Sequence, residues 1–439
     1  MKRLYESWGR YPRATQEVER LYWRHENLPG PDPAKAKFLP FGNGRSYGDV
    51  CLNDGGRLLD CRNLDRFIHF DAQSGLLRCE AGVTFSEILA LTVEQGWFLP
   101  VTPGTQFVTM GGAVANDVHG KNHVRAGTVG RHVRRFELLR SDGERLTCSP
   151  STNEGYFAAT IGGLGLTGVI TWVELQLKEI SSPLVNQEVL RFANLDEFFT
   201  LAEESDQTHE YTVAWVDCLA RGSALGRGLF MRGNHAGGNY CKAASPLGPR
   251  FTFPIDPPVA LVNRLSLRLF NSLYYRKQLS DRTAGQIHYQ PFFYPLDSIR
   301  SWNRMYGARG FLQYQCVVPA STMRDSIHDI LTEIGQAGTG SFLAVLKVFG
   351  DLPSPGMLSF PMAGATLALD FPNKGEETLK LLSRLDRVTS SAGGRIYPAK
   401  DACMSARDFQ HGYPAWQNFL EFKDPEITSS FWRRVTGSV

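Results

Sequence analysis

The chain of 439 residues contains no run of eighteen apolar residues, so no segment reads as a membrane-spanning helix. Charge of either sign is also scarce in excess: 47 Lys and Arg stand against 44 Asp and Glu, a formal +3. A grip on nucleic acid needs a basic domain or stripe, so nucleic acid is not expected as a partner. The eight cysteines (Cys51, Cys61, Cys79, Cys148, Cys218, Cys241, Cys316, Cys403) form no CxxC pair and no metal-type spacing with histidines. That pattern argues against a disulfide framework or a zinc site; no metal is expected, and a reducing compartment fits. Met1 to Arg20 is charged and aromatic and lacks the apolar core of a signal peptide, so a cytoplasmic location is expected. With 42% hydrophobic and 21% charged residues the composition is that of a folded protein, which excludes disorder and collagen-like repeats. No internal repeat or low-complexity tract interrupts it.

Glycine is present in plenty, and unevenly. Twenty of the 43 lie between Gly42 and Gly168, about 16% of those 127 residues, against the usual background of about 7% elsewhere. Glycine is conformationally costly, so this enrichment implies backbone held close to something else, a ligand being one answer.

The first half reads as short strands and few helices. Arg57 to Asp60 is strand-like, and Arg66 to Phe70 and Leu76 to Glu80 alternate around Ser74-Gly75 as a hairpin. Thr84 and Glu87 form a capping-box pattern before Ile88, Leu89 and Leu91, and Gly96 sits where a helix-ending glycine belongs. Phe98 to Val101 again reads as a strand. An antiparallel hairpin inside the pattern favours α+β over a doubly wound parallel sheet. Beyond about Leu184 the texture changes: Tyr211 to Val216, Phe311 to Val318, Phe342 to Phe349 and Thr366 to Phe371 are strand-like, and Thr322 to Ile334 and Glu376 to Ala392 are helical. This predicts three parts: 1–179, a second domain over 180–394 built on one largely antiparallel sheet flanked by helices, and 395–439 returning to the first domain.

Gly163-Leu164-Gly165-Leu166-Thr167-Gly168 matches the GxGxxG dinucleotide fingerprint, but Val169 to Leu177 behind it alternates like a half-buried strand. The fingerprint needs a strand before it and a helix after it, so a nicotinamide Rossmann site is not expected. Phe41 to Asp49 (FGNGRSYGD) packs glycines, small polar groups and Arg45 into nine residues, a composition suited to a nest of backbone N–H groups around a diphosphate or to an ordinary tight turn. Pro103-Gly104-Thr105 and the stretch Thr109 to His123 form a second glycine-rich region. Three such cradles exceed what turns alone require, and a large phosphate-bearing cofactor is the better explanation.

At these motifs, together with FLQYQ (311–315), LKVFG (346–350) and YPAKD (397–401), the chain resembles the flavoprotein oxidase superfamily typified by vanillyl-alcohol oxidase, with its PCMH-type FAD-binding domain. Within it, the pattern is most similar to the oxidative-subunit family of decaprenylphosphoryl-ribose 2′-epimerase. The similarity runs in order from Trp8-Gly9-Arg10 to near the C-terminus. It implies a two-subdomain FAD-binding domain over 1–179, completed by 395–439, with a substrate domain between. Relatives that tether flavin covalently carry a histidine in the first loop where this chain has Arg45, so the resemblance implies non-covalent FAD; His119 and His123 stay open as attachment points. As cofactor-binding residues it implies Gly42, Asn43, Gly44, Arg45, Ser46, Tyr47, Gly104, Thr105, Thr109, Gly111, Gly112, Asn116, His119, Gly120, Ile170 and Tyr397. As substrate-binding residues it implies Lys121, Tyr275, Gln313, Gln315, Lys347 and Lys400, and as catalytic ones His119, Lys400 and Tyr47.

Alcohol oxidation sends a hydride to the flavin and a proton elsewhere, so a cation near the reduced flavin or the alkoxide would help. His119, Lys121, Lys347 and Lys400 are the candidates; His69, His288 and His411 read as structural. An unpaired ammonium among apolar neighbours is costly, and a pocket facing an anion is a reason to keep Lys347 and Lys400. Gln313 and Gln315, two apart, share one strand face, which a water-exposed sheet face would also produce. One departure stands out: mycobacterial members of the family carry asparagine and cysteine where this chain has Thr366 and Ala368, ahead of Asp370-Phe371-Pro372. The pocket beside the flavin therefore differs.

The implied activity is FAD-dependent oxidation of a sugar secondary alcohol to a ketone, at C2 of a polyprenylphosphoryl pentose, with a short-chain NAD(P)-dependent reductase as partner for the second half of an epimerisation. An aldonolactone or alditol oxidase acting on a soluble sugar with oxygen as acceptor stays open, as does a non-catalytic lipid-sugar binding protein. One signal remains. Pro258 through Lys277 places Val262, Leu265, Leu269 and Leu273 at helical spacing with Asn263, Arg264, Arg268, Arg276 and Lys277, a pattern that suits either peripheral contact with a membrane surface or a core helix with a solvated side.

Overall fold

Alternation of apolar and polar residues sorts most of the strands into two antiparallel sheets. The structure is a computed structural model that describes residues 5–28, 36–238, 251–253, 256–257 and 260–437. In the first half, Phe67–Asp71, Leu76–Glu80, Val169–Gln176, Val133–Leu139 and Arg145–Cys148 form a five-stranded antiparallel sheet in that spatial order. A small parallel sheet of Glu17–Arg20, Arg57–Asp60 and Phe38–Phe41 lies upstream of it in the chain. The hairpin turns at Gly75, whose φ of 69° is the left-handed value a glycine tolerates. Helix Phe85–Thr92 begins with the expected capping box between Thr84 and Glu87, and Gly96 ends the turn that follows.

The second sheet has eight strands, antiparallel throughout, in the order Arg282–His288, Leu184–Phe192, Gly228–His235, Tyr211–Val216, Val345–Phe349, Gly364–Pro372, Phe311–Pro319, Arg395–Ile396. The expected α+β class with one large antiparallel sheet is what the molecule has. Side chains on a strand alternate between faces, and here each face has its own task. Leu312, Tyr314, Cys316, Leu346, Leu367 and Leu369 join the core under helices Leu195–Asp206, Met323–Ala337 and Glu376–Ser391. Their alternates Gln313, Gln315, Val345, Lys347, Thr366, Ala368 and Asp370 face a cavity. Each fully buried leucine or isoleucine on the helix side contributes about 1.5–3 kcal/mol, so the register that fixes the polar face is set by the apolar one.

After the edge strand Arg395–Ile396 the chain returns to the N-terminal half. Tyr47 N–H donates to the Ala399 carbonyl at 2.8 Å, Thr428 N–H to Phe38 at 3.0 Å and Ser430 N–H to Leu52 at 2.8 Å. Arg434 bridges the buried carboxylates of Asp49 and Asp401 at 2.7 and 2.8 Å. Gly48 is required at this seam, because a Cβ there would collide with the Asp401 carbonyl.

Two expected strands are shorter than their sequences suggest. Only Trp97–Phe98 pairs, with Lys178–Glu179; Pro100 has no N–H to continue the ladder. The strand expected from Phe342 starts at Val345, because Ser341 Oγ accepts the Leu343 N–H at 2.9 Å and turns the chain first. Seven of the cysteines are free thiols; Cys241 lies outside the described residues.

Candidate active site

A cavity of about 1100 Å³ separates the glycine loops from the polar face of the large sheet. Every residue named above for cofactor or substrate lines it except Tyr275 and His123, the alternative attachment point. Loop 41–47, Gly104–Thr105, the stretch from Thr109 to Lys121, and Leu164, Gly165, Gly168 and Ile170 form one wall. Its glycines divide by task. Gly163 and Gly168 let the chain pack on Ala159 and Leu138, whereas a Cβ at Gly104 or Gly165 would meet only open space. The GxGxxG turn follows helix Glu154–Thr160 and precedes strand Val169–Gln176, the reverse of the dinucleotide arrangement.

The cavity has unspent polar groups on both sides. Arg45 is held between Trp8, at 4.4 Å from the ring centre, and Phe107, at 5.4 Å, and its buried Nε has no hydrogen-bond partner. Burial disfavours its charge, partly offset by Asp297. Asn116 donates from Nδ2 to Gly112 at 2.8 Å but leaves Oδ1 unpartnered, as is Gln313 Oε1. A buried polar atom without a partner is costly, so a ligand rich in acceptors, donors and negative charge is what these groups lack. FAD, with its diphosphate and its ring of polar edges, fits that requirement.

The titratable groups gather where the loop wall meets the sheet. His119 Nε2 lies 3.0 Å from Gln315 Nε2, and His119 Nδ1 3.2 Å from Lys347 Nζ. Burial first, then Lys347, His123 and Lys400, pushes the imidazole well below its ordinary pKa, so it is neutral and carries one N–H. Either the Lys347 ammonium donates to Nδ1 and the Gln315 amide turns its oxygen to Nε2–H, or a neutral Lys347 accepts from Nδ1. Lys347 also donates to the Gly120 carbonyl at 3.3 Å, and Gln315 to Thr366 Oγ1 at 3.2 Å. Lys121 donates to the Phe292 carbonyl. Burial lowers Lys347 to about 7, with Lys121 and Lys400 adding repulsion, and lowers Lys121 to about 7.

Lys400, lowered to about 8 by burial, stands 3.9 Å from the centre of the Tyr47 ring. Asp370, raised to about 7 by burial, accepts from Gln313 Nε2 at 2.6 Å. Tyr397 donates to the Asn116 carbonyl at 2.9 Å and stacks on Phe360, which fixes the rim between the two walls.

Tyr275 is misplaced by the sequence reading. Its hydroxyl donates to the Phe192 carbonyl at 3.3 Å and its ring lies under Arg227, while Tyr274, one helical step away, lines the cavity. His123 is buried against Phe349 at 4.3 Å, outside the cavity, with both ring nitrogens unpartnered. Asp370, Trp8 and Asp297 escaped notice as site residues. Asp370 stands opposite Gln313 in the strand register and shares its face, a pairing that its own strand's sequence does not show. Trp8 reaches the cavity from a turn and Asp297 from the single 3-10 turn Pro295–Ser298, both too short to show a periodicity.

Fold and site together define an FAD-dependent oxidoreductase. Residues 32–149 match the FAD binding domain family model. The chain is 35% identical to decaprenylphosphoryl-beta-D-ribose oxidase of Mycolicibacterium smegmatis over 90% of its own length and 88% of the relative's. It is 34% identical to an uncharacterized protein in the mprA 5′ region of Streptomyces coelicolor, over 80% of this chain and all of that one. L-gulonolactone oxidase of Mus musculus is 29% identical over 37% of each chain. The protein belongs to the family of FAD-linked oxidoreductases that contains decaprenylphosphoryl-beta-D-ribose oxidase.

Proposed function

We propose that the protein oxidises a secondary hydroxyl of an anionic, lipid-linked sugar, at C2 of a polyprenylphosphoryl pentose, to the ketone. The observation that carries this reading is the pairing of two linings in one cavity. Three crowded amines, Lys121, Lys347 and Lys400, adjoin an apolar stretch of Val189, Val213, Leu229, Met231, Ile287 and Val345. The amines call for an anion, and the apolar stretch for hydrocarbon.

Bound FAD supplies the acceptor for the hydride that leaves the carbinol carbon. Arg45, Asn43, Asn116 and the loop glycines would hold it. His119, Lys400 and Tyr47 are assigned the catalytic roles, and Lys121, Gln313, Gln315 and Lys347 the sugar contacts. Near neutral pH, Lys400 Nζ and the Asp370 carboxylate each exist partly in a form that accepts the hydroxyl proton. Non-covalent FAD is part of the reading: both His119 ring nitrogens are engaged, and His123 lies outside the cavity. A ketone product requires a separate NAD(P)-dependent short-chain reductase to complete an epimerisation.

Anaerobic flavin bleaching across a substrate panel tests this. Bleaching by polyprenylphosphoryl pentoses, with none by free sugars or lactones, is the expected result. Bleaching by aldonolactones or alditols alone would assign the protein to soluble-sugar oxidation, and a protein that cannot be loaded with FAD would remove the enzyme reading.

A further inference from the structure

Helix Arg264–Lys277 opens with a capping box between Asn263 and Ser266 and buries Leu267 and Asn271. The opposite face is apolar yet uncovered: Leu265, Leu269 and Leu273 are 77%, 61% and 61% exposed. Their spacing of four residues aligns them in one stripe. Val262, grouped with them by sequence, lies before the helix and is buried; Pro258 and Val259 lie outside the described residues. Scattered exposed leucines need no explanation, but an aligned stripe does.

The charges say what covers it. The helix has four cations, Arg264, Arg268, Arg276 and Lys277, and no acid. Among the described residues none of the four is in a salt bridge, although the molecule ties arginines to carboxylates elsewhere. Arg268 and Arg276 share the exposed side with the leucines. A second copy docked on the same face would set arginine against arginine. A surface of anionic headgroups over hydrocarbon complements both features. The last turn of the same helix, through Tyr274 and the exposed Lys277, lines the cavity, so the cavity reaches the surface beside this face.

We propose that this leucine and arginine face docks the protein on an anionic lipid bilayer, with the three leucines in the acyl boundary and the arginines at the phosphates. The proposal does not rest on the sugar substrate, because docking needs no turnover.

The test uses the FAD-loaded full chain in co-sedimentation with vesicles of phosphatidylcholine alone or mixed with phosphatidylglycerol. Binding to the mixed vesicles is expected, weakened by salt and much weaker on phosphatidylcholine. Arg268→Glu with Arg276→Glu, and separately Leu265→Ser with Leu269→Ser and Leu273→Ser, should each lower the partition by about tenfold or more. An unchanged flavin spectrum shows that a variant is folded; if the leucine variant loses its flavin, the charge variant decides. No binding, equal binding to both vesicle types, binding unmoved by the substitutions, or a solution dimer that the substitutions dissolve would each overturn it.

Discussion

Burial strips three neighbouring lysines of hydration and holds Lys121 and Lys347 to about 7 and Lys400 to about 8, with repulsion from the other two amines adding to the shift of Lys347 alone. A lysine whose folded pKa lies below its unfolded value of about 10.4 costs stability fully below the folded value, and the cost is relieved as pH rises towards the unfolded one. Lys347→Met should therefore gain thermal stability relative to the parent at pH 6, a gain that shrinks by pH 9. Paired melting curves at the two pH values check this, and a kcat/KM loss is expected with it because the amine at His119 is gone. An anionic substrate needs the ammonium forms, so its affinity for the free enzyme should fall as pH rises through about 7 to 8, read as the dissociation constant in flavin-quenching titrations. Ala368 puts no thiol where some relatives carry one. Burial raises the two cysteines at the cavity wall, Cys51 and Cys61, to about 12, so they stay protonated and unreactive. Inhibitors that trap a cysteine beside the flavin should leave no adduct in intact-mass spectra of the parent, and Ala368→Cys should restore one.

At the scale of elements, strand alternation did the most to make the site legible. Phe311 to Val318 and Thr366 to Phe371 read as strands because apolar residues recur every second position, and that spacing also paired Gln313 with Gln315. The same spacing left Asp370 unremarked, since one residue cannot show that its register partner is Gln313. The strand expected over Phe98 to Val101 ends at Phe98, because local propensity does not supply the ladder N–H that Pro100 lacks. Tyr275 was mistaken for its neighbour because consecutive helical residues point about 100° apart, and only packing fixes which one faces inward. Capping is the most local signal, and Thr84→Ala should cost about 1 kcal/mol in urea unfolding, the typical worth of such a cap.

Across the whole molecule, the C-terminal segment closes the structure onto its first fifty residues through Arg434 and its two carboxylates. Removing one partner of such a buried group strands charge, so Arg434→Ala should destabilise by about 3 kcal/mol or more. Because Asp401 follows Lys400 and Ala399 holds Tyr47, FAD retention on gel filtration should fall as well. The sequence by itself determined the α+β class, the glycine-rich loops and the kinship with FAD-linked oxidoreductases, because turns, caps and alternation are local and glycine marks close approach wherever it gathers. Tertiary structure alone decided that His119 meets Lys347 across 228 positions of chain, that Asp370 joins the site, and that a leucine stripe stays uncovered. Those facts depend on burial and distance between segments remote in sequence, and no local pattern encodes either.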